Sequence, residues 1–495
     1  MNCDLLFIKP SEQKTVYGGL SDFQLTAFEP PLWAALLAAY ARAKGYNAEI
    51  LDTQTENFSF EDTYLHIKSL MPRLLVICVS GTNPSASTMN MLAAEKIIRI
   101  CKENMLGIPV ALHGIHPSAL PEESLMNGKA DFVCMGEGFE CICALLECLK
   151  NDKPDKLPKI DGLAYRQGDK IYRNKAAEII NDLDSLPRAA WDLLPMQKYR
   201  AHNWHCFDDI SRRQAYAILW TSLGCPFNCH FCCINSIFGK KPGIRYRHPQ
   251  KIIEEIDFLV NEYGVRNIKI VDELFAVNEK RVIEICRLIT ERKYDLNIWA
   301  YARVDTVSKK MLHAMKNAGI NWLAYGFESG SRKSLDAVGK GYDLDAVSEI
   351  TNMTYGEGLY IIANYLFGLP DDDYEGMLAT LVMAMEINAE WANFSSVMAY
   401  PGSGLYDDAL RQNLRLPDSW QGYSQYSYDC FPMDTKHLKA EQVLAFRDYA
   451  FDTYYKNPMY LEKIKQRFGT ETVKHIRKIT EYSLKRKHTE GMWGT

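Results

Sequence analysis

The sequence predicts an α/β protein with three parts in order along the chain: a Rossmann-like domain, a partial (β/α)₆ barrel and a C-terminal helical region. Strand-like and helix-like segments alternate over residues 1–150, and six further repeats of this kind run over residues 215–405. Residues 406–495 carry apolar side chains at helical spacing. Residues 151–214 join the two alternating parts and are expected to form a connector.

The composition is that of an ordinary globular protein. A chain of 495 residues, 47% hydrophobic and 24% charged, can form two or three domains with cores of their own. Its net charge of −5 argues against a protein that binds nucleic acid by neutralising phosphates. No apolar run reaches the ~18 residues of a membrane span, and no secretory signal is recognisable. We therefore expect a cytoplasmic protein with neither a membrane nor a nucleic-acid partner.

The N-terminal alternation predicts a parallel sheet with helices on both faces. The strand-like segments are Asp4–Ile8, Asn47–Leu51, Leu74–Val79, Pro109–His113 and Asp131–Met135. The helix-like segments are Leu32–Lys44, Ala86–Glu103 and Phe139–Leu149. Ligands of such sheets bind beyond the carboxyl ends of the strands. The candidate binding residues at these ends are Ser80, Thr82, Gly114, His116, Gly136 and Glu137.

The connector contains turn-forming residues and one apparent hairpin, Asp161–Tyr165 with Lys170–Arg173. It ends in a polar and aromatic cluster over residues 199–205. Such a cluster beside a barrel either contacts substrate or packs the two domains together. The sequence favours neither interpretation.

The second alternation predicts six parallel strands. They are Tyr216–Thr221, Asn267–Val271, Asn297–Ala302, Asn321–Gly326, Tyr360–Phe367 and Asn393–Ala399. Polar or glycine residues follow each strand, which predicts a single site at one mouth of a barrel.

Three cysteines follow the first of these strands in a Cys-x₃-Cys-x₂-Cys pattern: Cys225, Cys229 and Cys232. Three thiolates can bind three irons of a [4Fe–4S] cluster and leave the fourth iron open to another ligand. A structural zinc site is the alternative, but it usually takes four ligands in two pairs. Here the nearby additional ligands are only Cys233 and His230, so the spacing favours the cluster.

With Phe231 before the last cysteine, this motif resembles the signature of the radical S-adenosylmethionine (SAM) enzymes, whose open iron is chelated by SAM. The six repeats resemble the (β/α)₆ core of that family. The resemblance implies SAM contacts for residues of the motif and of the strand ends. These are Phe231 and Gly368 near adenine, Glu328 (followed by Ser329) near the ribose or amine, Arg303 near the carboxylate, and Asp272 and Glu273 near the amine. Ion pairs within the barrel mouth are the alternative role for the charged residues.

Residues 1–150 resemble the cobalamin-binding domain of cobalamin-dependent radical SAM enzymes. The matching pieces are Pro30-Pro31, a Ser/Thr loop after the third strand, Gly-x-His-Pro after the fourth and Gly-Glu-Gly after the fifth. The Asp-x-His-x-x-Gly motif that supplies a histidine to cobalt in other cobalamin proteins is absent. The resemblance therefore implies base-off cobalamin without a histidine ligand, with His116 orienting its loop. A domain that kept this fold and lost the cofactor is the alternative.

The combined resemblance implies a C-methyltransferase acting on an unactivated carbon of a small-molecule metabolite. One SAM would donate the methyl group through methylcobalamin, and a second would provide the radical. A flavodoxin or ferredoxin-type reductant is implied. A rearrangement or cyclisation without methyl transfer, and a non-catalytic iron–sulfur or corrinoid carrier, are the alternatives. Candidate substrate contacts are Tyr301, Asn364, Tyr365, Tyr400 and the cluster at His202–His205.

Overall fold

The computed structural model describes residues 3–18, 20, 26–79, 87–239 and 242–489. Ser80 and Thr82, two of the candidate binding residues, lie outside the described residues. The fold is the α/β class that the sequence predicts, with a mainly parallel sheet, a second, parallel sheet and C-terminal helices.

The first sheet has seven strands in the order β2-β1-β3-β4-β5-β6-β7. They are β1 (Leu5–Lys9), β2 (Ala48–Asp52), β3 (Leu74–Cys78), β4 (Val110–His113), β5 (Phe132–Cys134), β6 (Leu163–Gln167) and β7 (Lys170–Arg173). The associated helices are α1 (Gln13–Tyr17), α2 (Leu32–Ala43), α3 (Phe60–Leu70), α4 (Met91–Glu103), α5 (Ile115–Ala119), α6 (Pro121–Asn127) and α7 (Phe139–Lys150). The first five strands are parallel and almost wholly apolar, because helices cover both faces of the sheet.

The hairpin of the connector extends this sheet. Strand β6 pairs antiparallel with β5, with Phe132 opposite Tyr165, and β7 pairs with β6. The first sheet therefore continues past residue 150 into the segment that the sequence assigned to the connector. A hairpin pattern fixes the pairing of its own two strands, but it does not indicate which edge of a sheet they join.

The second sheet has six parallel strands in the order β15-β14-β13-β12-β11-β8. The strands of this part are β8 (Tyr216–Leu219), β9 (Ser222–Cys225), β10 (Gly243–Tyr246), β11 (Asn267–Ile270), β12 (Asn297–Ala302), β13 (Ile320–Glu328), β14 (Tyr360–Phe367) and β15 (Trp391–Ser396). Its helices are α8 (Asn235–Phe238), α9 (Pro249–Tyr263), α10 (Glu279–Arg292), α11 (Lys309–Asn317), α12 (Arg332–Ala337), α13 (Asp345–Gly356), α14 (Tyr374–Ile387) and α15 (Gly404–Arg411). Strands β9 and β10 form a separate antiparallel ribbon, with Cys225 opposite Gly243.

The C-terminal region contributes α16 (Ala440–Tyr455) and α17 (Pro458–Thr480), which bends at Gly469. Helix α16 packs against β14 through Phe446 and against β15 through Tyr454, so the C-terminal region covers one edge of the partial barrel. Among the described residues, no helix is long and apolar enough to cross a membrane.

Candidate active site

A cavity of about 1340 Å³ lies where the three parts of the chain meet. Its wall includes Trp33 from the start of α2, the cysteine loop after β9, side chains inside the barrel such as Lys269, and Arg447 on α16. The volume exceeds the ~300–1,000 Å³ of an ordinary small-molecule site. The cavity can therefore hold more than one ligand.

The three cysteines of the motif line this cavity. Cys225, Cys229 and Cys232 are partly exposed, whereas the other eleven cysteines of the chain are buried. The loop is fixed by backbone hydrogen bonds from His230 N to Val338 O (2.9 Å) and from Leu405 N to His230 O (3.1 Å). Within the described ranges, no three His, Cys, Asp or Glu side chains converge on one metal ion. A [4Fe–4S] cluster does not require such convergence, since each thiolate binds a different iron.

Arg303 packs beneath the cysteine loop, and its guanidinium lies 3.8 Å from the Phe227 ring centroid. Its Nε and Nη2 donate to the two carboxylate oxygens of Asp305 (2.9 and 3.0 Å), and its Nη1 lies 3.8 Å from Cys229 Sγ. The sequence assigned this guanidinium to the carboxylate of SAM. Asp305 accepts from one edge of the guanidinium, and Nη2 also donates to Lys340 O at 2.6 Å. Arg303 lines the cavity, and its contact with the carboxylate of SAM stays a prediction.

Glu328 lines the cavity and forms a buried ion pair with Lys340 at 2.7 Å. The Lys340 ammonium lies 5.9 Å from the ring centroid of Phe231, which also lines the cavity. Glu328 has a φ of 61°, a left-handed conformation that is strained for residues other than glycine and that clusters at functional sites. The sequence analysis did not identify Lys340, because no local pattern indicates that it meets Glu328 at the end of the fourth barrel strand, β13.

The two acidic residues after β11 have different environments. Glu273 lines the cavity and accepts a hydrogen bond from Gly224 N at 3.0 Å. Burial raises the pKa of its carboxyl to about 8. Asp272 is fully buried and accepts from Thr221 N and Ser222 Oγ, both at 2.6 Å, and it does not belong to the cavity wall. These hydrogen bonds fix the turn between β8 and β9, and the expected contact of Asp272 with SAM stays a prediction.

Two other residues expected near SAM, Ser329 and Gly368, are not part of the cavity wall among the described residues. The Ser329 hydroxyl is fully buried, 3.1 Å from Thr380 Oγ1. Gly368 has a φ of 86°, and a Cβ added there would lie 2.5 Å from Val443 on α16. Helix α16 thus covers the side of Gly368 on which a Cβ would lie, and the expected contact of Gly368 with adenine stays a prediction.

The predicted binding residues of the first sheet also lie behind the wall, insofar as they are described. His116 is 1% exposed, its Nδ1 lies 3.3 Å from Thr88 Oγ1, and its ring packs edge-on against Trp420. Burial lowers the pKa of His116 to about 3. This packing agrees with a loop-orienting role and places no imidazole of His116 in the cavity.

The remaining residues of these loops shape the junction between the domains. Glu137 forms an ion pair with Arg245 on β10 and accepts from Ile180 N at 2.9 Å. Gly136 N donates to Ser118 Oγ at 3.0 Å, and Gly114 precedes α5 with a φ of 135°. Neither these two glycines nor Glu137 belongs to the cavity wall among the described residues, and their expected cofactor contacts stay predictions.

Aromatic residues form the cavity wall between the first sheet and the cysteine loop. Trp33 and Trp220 meet edge to face at 4.8 Å, and Phe238 packs against Trp33 at 6.0 Å. The indole Nε1 atoms of both tryptophans are buried and have no partner among the described residues. This wall fits cobalamin, because a corrin presents broad apolar faces and amide side chains that accept hydrogen bonds.

The interior of the barrel holds a buried charge pair that the sequence did not identify. Lys269 Nζ lies 3.2 Å from Glu29 Oε1 and 4.7 Å from the ring centroid of Trp299. Lys269 is 3% exposed and Glu29 6%. A lysine in the middle of an apolar strand was the one sequence signal for a buried charge here. No local pattern indicates Glu29 as its partner.

Four of the expected substrate contacts, Tyr301, Asn364, Tyr365 and Tyr400, line the cavity, as does His202. His205 does not, because it is buried between Trp204 and Tyr216. The connector cluster is therefore divided: His202 and Trp204 reach the cavity, and His205 packs behind them.

Comparisons with known proteins agree with this architecture. The Radical SAM superfamily model matches residues 221–382, and the B12 binding domain model matches residues 24–146. An uncharacterised methyltransferase of Pyrococcus horikoshii is 30% identical over 435 residues, which are 88% of this chain and 89% of that protein. The chain belongs to the cobalamin-dependent radical SAM enzymes. Its cofactors are a [4Fe–4S] cluster, SAM and cobalamin.

Other relatives differ in their reactions. The anaerobic magnesium-protoporphyrin IX monomethyl ester cyclase of Cereibacter sphaeroides is 26% identical, over 84% of this chain and 65% of that protein. The cobalamin-dependent SAM radical enzyme OxsB has a TM-score of 0.72 at 16% identity, with coverage of 97% of this chain and 72% of OxsB. The methyltransferase TsrM of Kitasatospora setae has a TM-score of 0.68 at 14% identity, with coverage of 96% and 98%. Both structures share the fold across the chain.

Proposed function

We propose that this cobalamin-dependent radical SAM enzyme is a C-methyltransferase that acts on an unactivated carbon of a small molecule. The observation that supports this proposal is the shared cavity, which is lined by the cysteine loop, the aromatic wall at Trp33 and Trp220, and the interior of the barrel. When bound, the cluster with SAM supplies a hydrogen-abstracting radical, and cobalamin supplies methyl transfer. One cavity allows both to reach the same substrate carbon.

The residues of the chain have separable roles in this proposal. Cys225, Cys229 and Cys232 bind the cluster. Glu328 accepts hydrogen bonds from the amine or ribose hydroxyls of SAM, and its ion pair with Lys340 orients its carboxylate. Phe231 offers adenine an apolar surface. Glu273 lines the cavity beside the cluster loop, where it would contact the amine of SAM, and burial raises the pKa of its carboxyl to about 8.

A second candidate function is a radical cyclisation without methyl transfer. The 26% identity to the anaerobic magnesium-protoporphyrin IX monomethyl ester cyclase favours this candidate. It uses the same cysteines and the same cavity. The two functions therefore differ in their product and not in their cofactor-binding residues.

An isotope experiment tests the proposal. Cells that express the protein anaerobically are supplied with methionine carrying a deuterated methyl group, and their small molecules are compared by mass spectrometry with cells expressing a Cys225→Ala variant. We expect a product that carries one added labelled methyl group and is missing in the variant. A new product of unchanged carbon number would instead support cyclisation.

Methyl transfer with radical cleavage of SAM also requires electrons. We propose a flavodoxin or ferredoxin-type reductant as the partner. With the purified enzyme, flavodoxin, flavodoxin reductase and NADPH should support formation of 5′-deoxyadenosine from SAM. The same assay is repeated with ferredoxin and its reductase. If a chemical reductant supports the reaction but neither flavodoxin nor ferredoxin does, the partner proposal is wrong.

A further inference from the structure

Most charged groups around the cavity are paired one to one. The described pairs are Lys9–Asp52 (3.3 Å), Lys269–Glu29 (3.2 Å), Arg303–Asp305 (2.9 Å) and Lys340–Glu328 (2.7 Å). The C-terminal wall differs, because two guanidinium groups, Arg447 and Arg486, share the single carboxylate of Asp448. This cluster carries one positive charge in excess.

The hydrogen bonds of the cluster leave part of one guanidinium unused. Asp448 Oδ1 accepts from Arg447 Nη1 (2.8 Å) and Arg486 Nη2 (3.0 Å), and Asp448 Oδ2 accepts from Arg486 Nε (2.9 Å). Arg486 Nη1 donates to the carbonyls of Gln425 and Ser427, and Arg447 Nε donates to Phe394 O. Within the described part of the chain, no residue accepts from Arg447 Nη2. Arg447 therefore retains hydrogen-bond donors beside the cavity that it lines.

Burial makes the excess charge significant. Arg447 and Arg486 are each 3% exposed. A buried charge without its own counter-ion is costly, whereas an exposed one is screened by water. The next carboxylate of α16 in the cavity wall, Asp452, pairs with Lys456 at 2.7 Å and so does not compensate the excess. A ligand that brings a negative charge would complete the pairing.

A second observation points to a ligand at the same wall. Ser396, on β15, lines the cavity and is 1% exposed, and its Oγ has no partner among the described residues. Its backbone N donates to Gln425 Oε1 at 3.0 Å, and the carbonyl of Gln425 accepts from Arg486. Gln425 thus links the backbone of Ser396 to Arg486 of the arginine cluster.

We propose that Arg447, together with Ser396, binds an acidic group of the substrate, a carboxylate or a phosphate. This inference rests on the proposed function, because it makes the cavity a substrate site. The planar guanidinium suits both groups, which can accept two parallel hydrogen bonds. The rings of Tyr426 and Phe451 lie 5.7 and 5.5 Å from the guanidinium carbon. The substrate class is therefore an acid with an apolar or aromatic body.

Binding to simple probes tests this proposal without turnover. The protein loaded with cluster, SAM and cobalamin is titrated calorimetrically with 4-phenylbutyrate, its neutral amide 4-phenylbutanamide, and phenyl phosphate. We expect at least one acid to bind roughly tenfold or more tightly than the amide, since hydrogen bonds to a charged group are stronger than those between neutral groups. The tighter of the two acids distinguishes a carboxylate from a phosphate substrate. Equal binding of the amide, or no binding of either acid, overturns the proposal.

Substitutions connect the preference to the arginine. Arg447→Met should abolish the preference for acid over amide, and Arg447→Lys should retain part of it. Arg415→Met is the matched control, because Arg415 also stacks on an aromatic ring, Phe431 at 4.2 Å, but does not line the cavity. A full preference for the acid in Arg447→Met refutes the assignment.

Ser396→Ala provides a second variant in case Arg447→Met does not fold. It removes a hydroxyl that has no partner among the described residues, so we expect normal iron and cobalamin content. Acid binding should weaken severalfold, as for loss of one hydrogen bond to a charged group. Unchanged acid binding would contradict the proposed role of Ser396. If the wild type binds acids but transfers no methyl group, the proposed function fails and the anion site remains.

Discussion

Glu29 reaches from the segment before α2 into the barrel, where its carboxylate pairs with Lys269 on β11. Lys269 Nζ lies 3.2 and 3.3 Å from the two carboxylate oxygens, and the Tyr216 hydroxyl donates to Glu29 Oε1 at 3.0 Å. The two paired residues are 240 positions apart in the sequence. This contact fixes the N-terminal domain against the barrel at the wall of the shared cavity.

Removing one member of this pair should destabilise the protein strongly. Glu29→Gln leaves Lys269 as an unpaired buried charge, which costs about 3–5 kcal/mol. The double variant Glu29→Gln, Lys269→Met should recover most of this loss. The free energy of unfolding in urea measures both effects. Asp192→Asn is the control, since it breaks an exposed pair with Arg42 and should cost less than ~1 kcal/mol. Equal losses in Glu29→Gln and Asp192→Asn would contradict the argument.

Replacing the three motif cysteines should remove the cluster. In the Cys225→Ala, Cys229→Ala, Cys232→Ala variant, we expect iron content near zero and no 5′-deoxyadenosine from SAM, because no thiolate of the motif remains to bind iron. Cys233→Ala, which changes the adjacent buried thiol, should retain both. Iron analysis, electron paramagnetic resonance and chromatography measure these outcomes. Cleavage of SAM at the wild-type rate in the triple variant would refute the assignment.

The histidine after β4 should not bind cobalt. Because His116 packs against Trp420 behind the cavity wall, His116→Ala should leave the absorption and paramagnetic spectra of bound cobalamin unchanged. The variant should still lose some stability, since it leaves a cavity in the packing beside Trp420. A nitrogen splitting on cob(II)alamin that disappears in the variant would show instead that His116 is the lower ligand.

Acid should destabilise the fold through its buried histidines. Burial lowers the pKa of His205 to about 3, and neither ring nitrogen has a partner in the described structure. The folded state therefore keeps His205 neutral, while the unfolded state takes up a proton below pH ~6.5. The contribution of neutral His205 to the free energy of unfolding is therefore fully present above pH ~6.5. It decreases by ~1.4 kcal/mol per pH unit as the pH falls from there towards 3.

His205→Phe tests this pH dependence. The variant should lose less stability than the wild type between pH 7 and 5, and a chemical denaturation series at several pH values measures the difference. His437→Gln, at an exposed position, is the control and should follow the wild type. An identical pH dependence in His205→Phe and the wild type would contradict a neutral buried His205.

Gly368→Ala should affect folding and not SAM affinity. The added Cβ would lie 2.5 Å from Val443, and the φ of 86° is unfavourable for alanine. We expect a loss of about 1–3 kcal/mol with an unchanged dissociation constant for SAM in the folded protein. The double variant with Val443→Ala should recover the steric part of the loss. If the variant binds SAM more weakly but is as stable as the wild type, the result would support the predicted contact between Gly368 and adenine.

Local patterns were sufficient to predict the elements and the cysteine loop. The expected barrel strands Asn297–Ala302 and Tyr360–Phe367 match the observed strands to the residue, because apolar β-rich segments bounded by turn residues indicate strands directly. The three cysteines lie within eight residues of one another, so their spacing alone brings them to one loop. Parallel alternation then determines that the strand ends share one edge.

The sequence by itself therefore determined the fold class, the order of the parts and the cluster motif. Only the tertiary structure decided which side chains reach the cavity. Lys269 meets Glu29, Arg447 shares Asp448 with Arg486, and Gly368 faces Val443. These contacts arise from the packing of distant segments and leave no periodic signal. For the same reason Asp272 and Ser329 follow strands as expected but point into the protein interior, since the twist and packing of each strand end set the direction of its side chains.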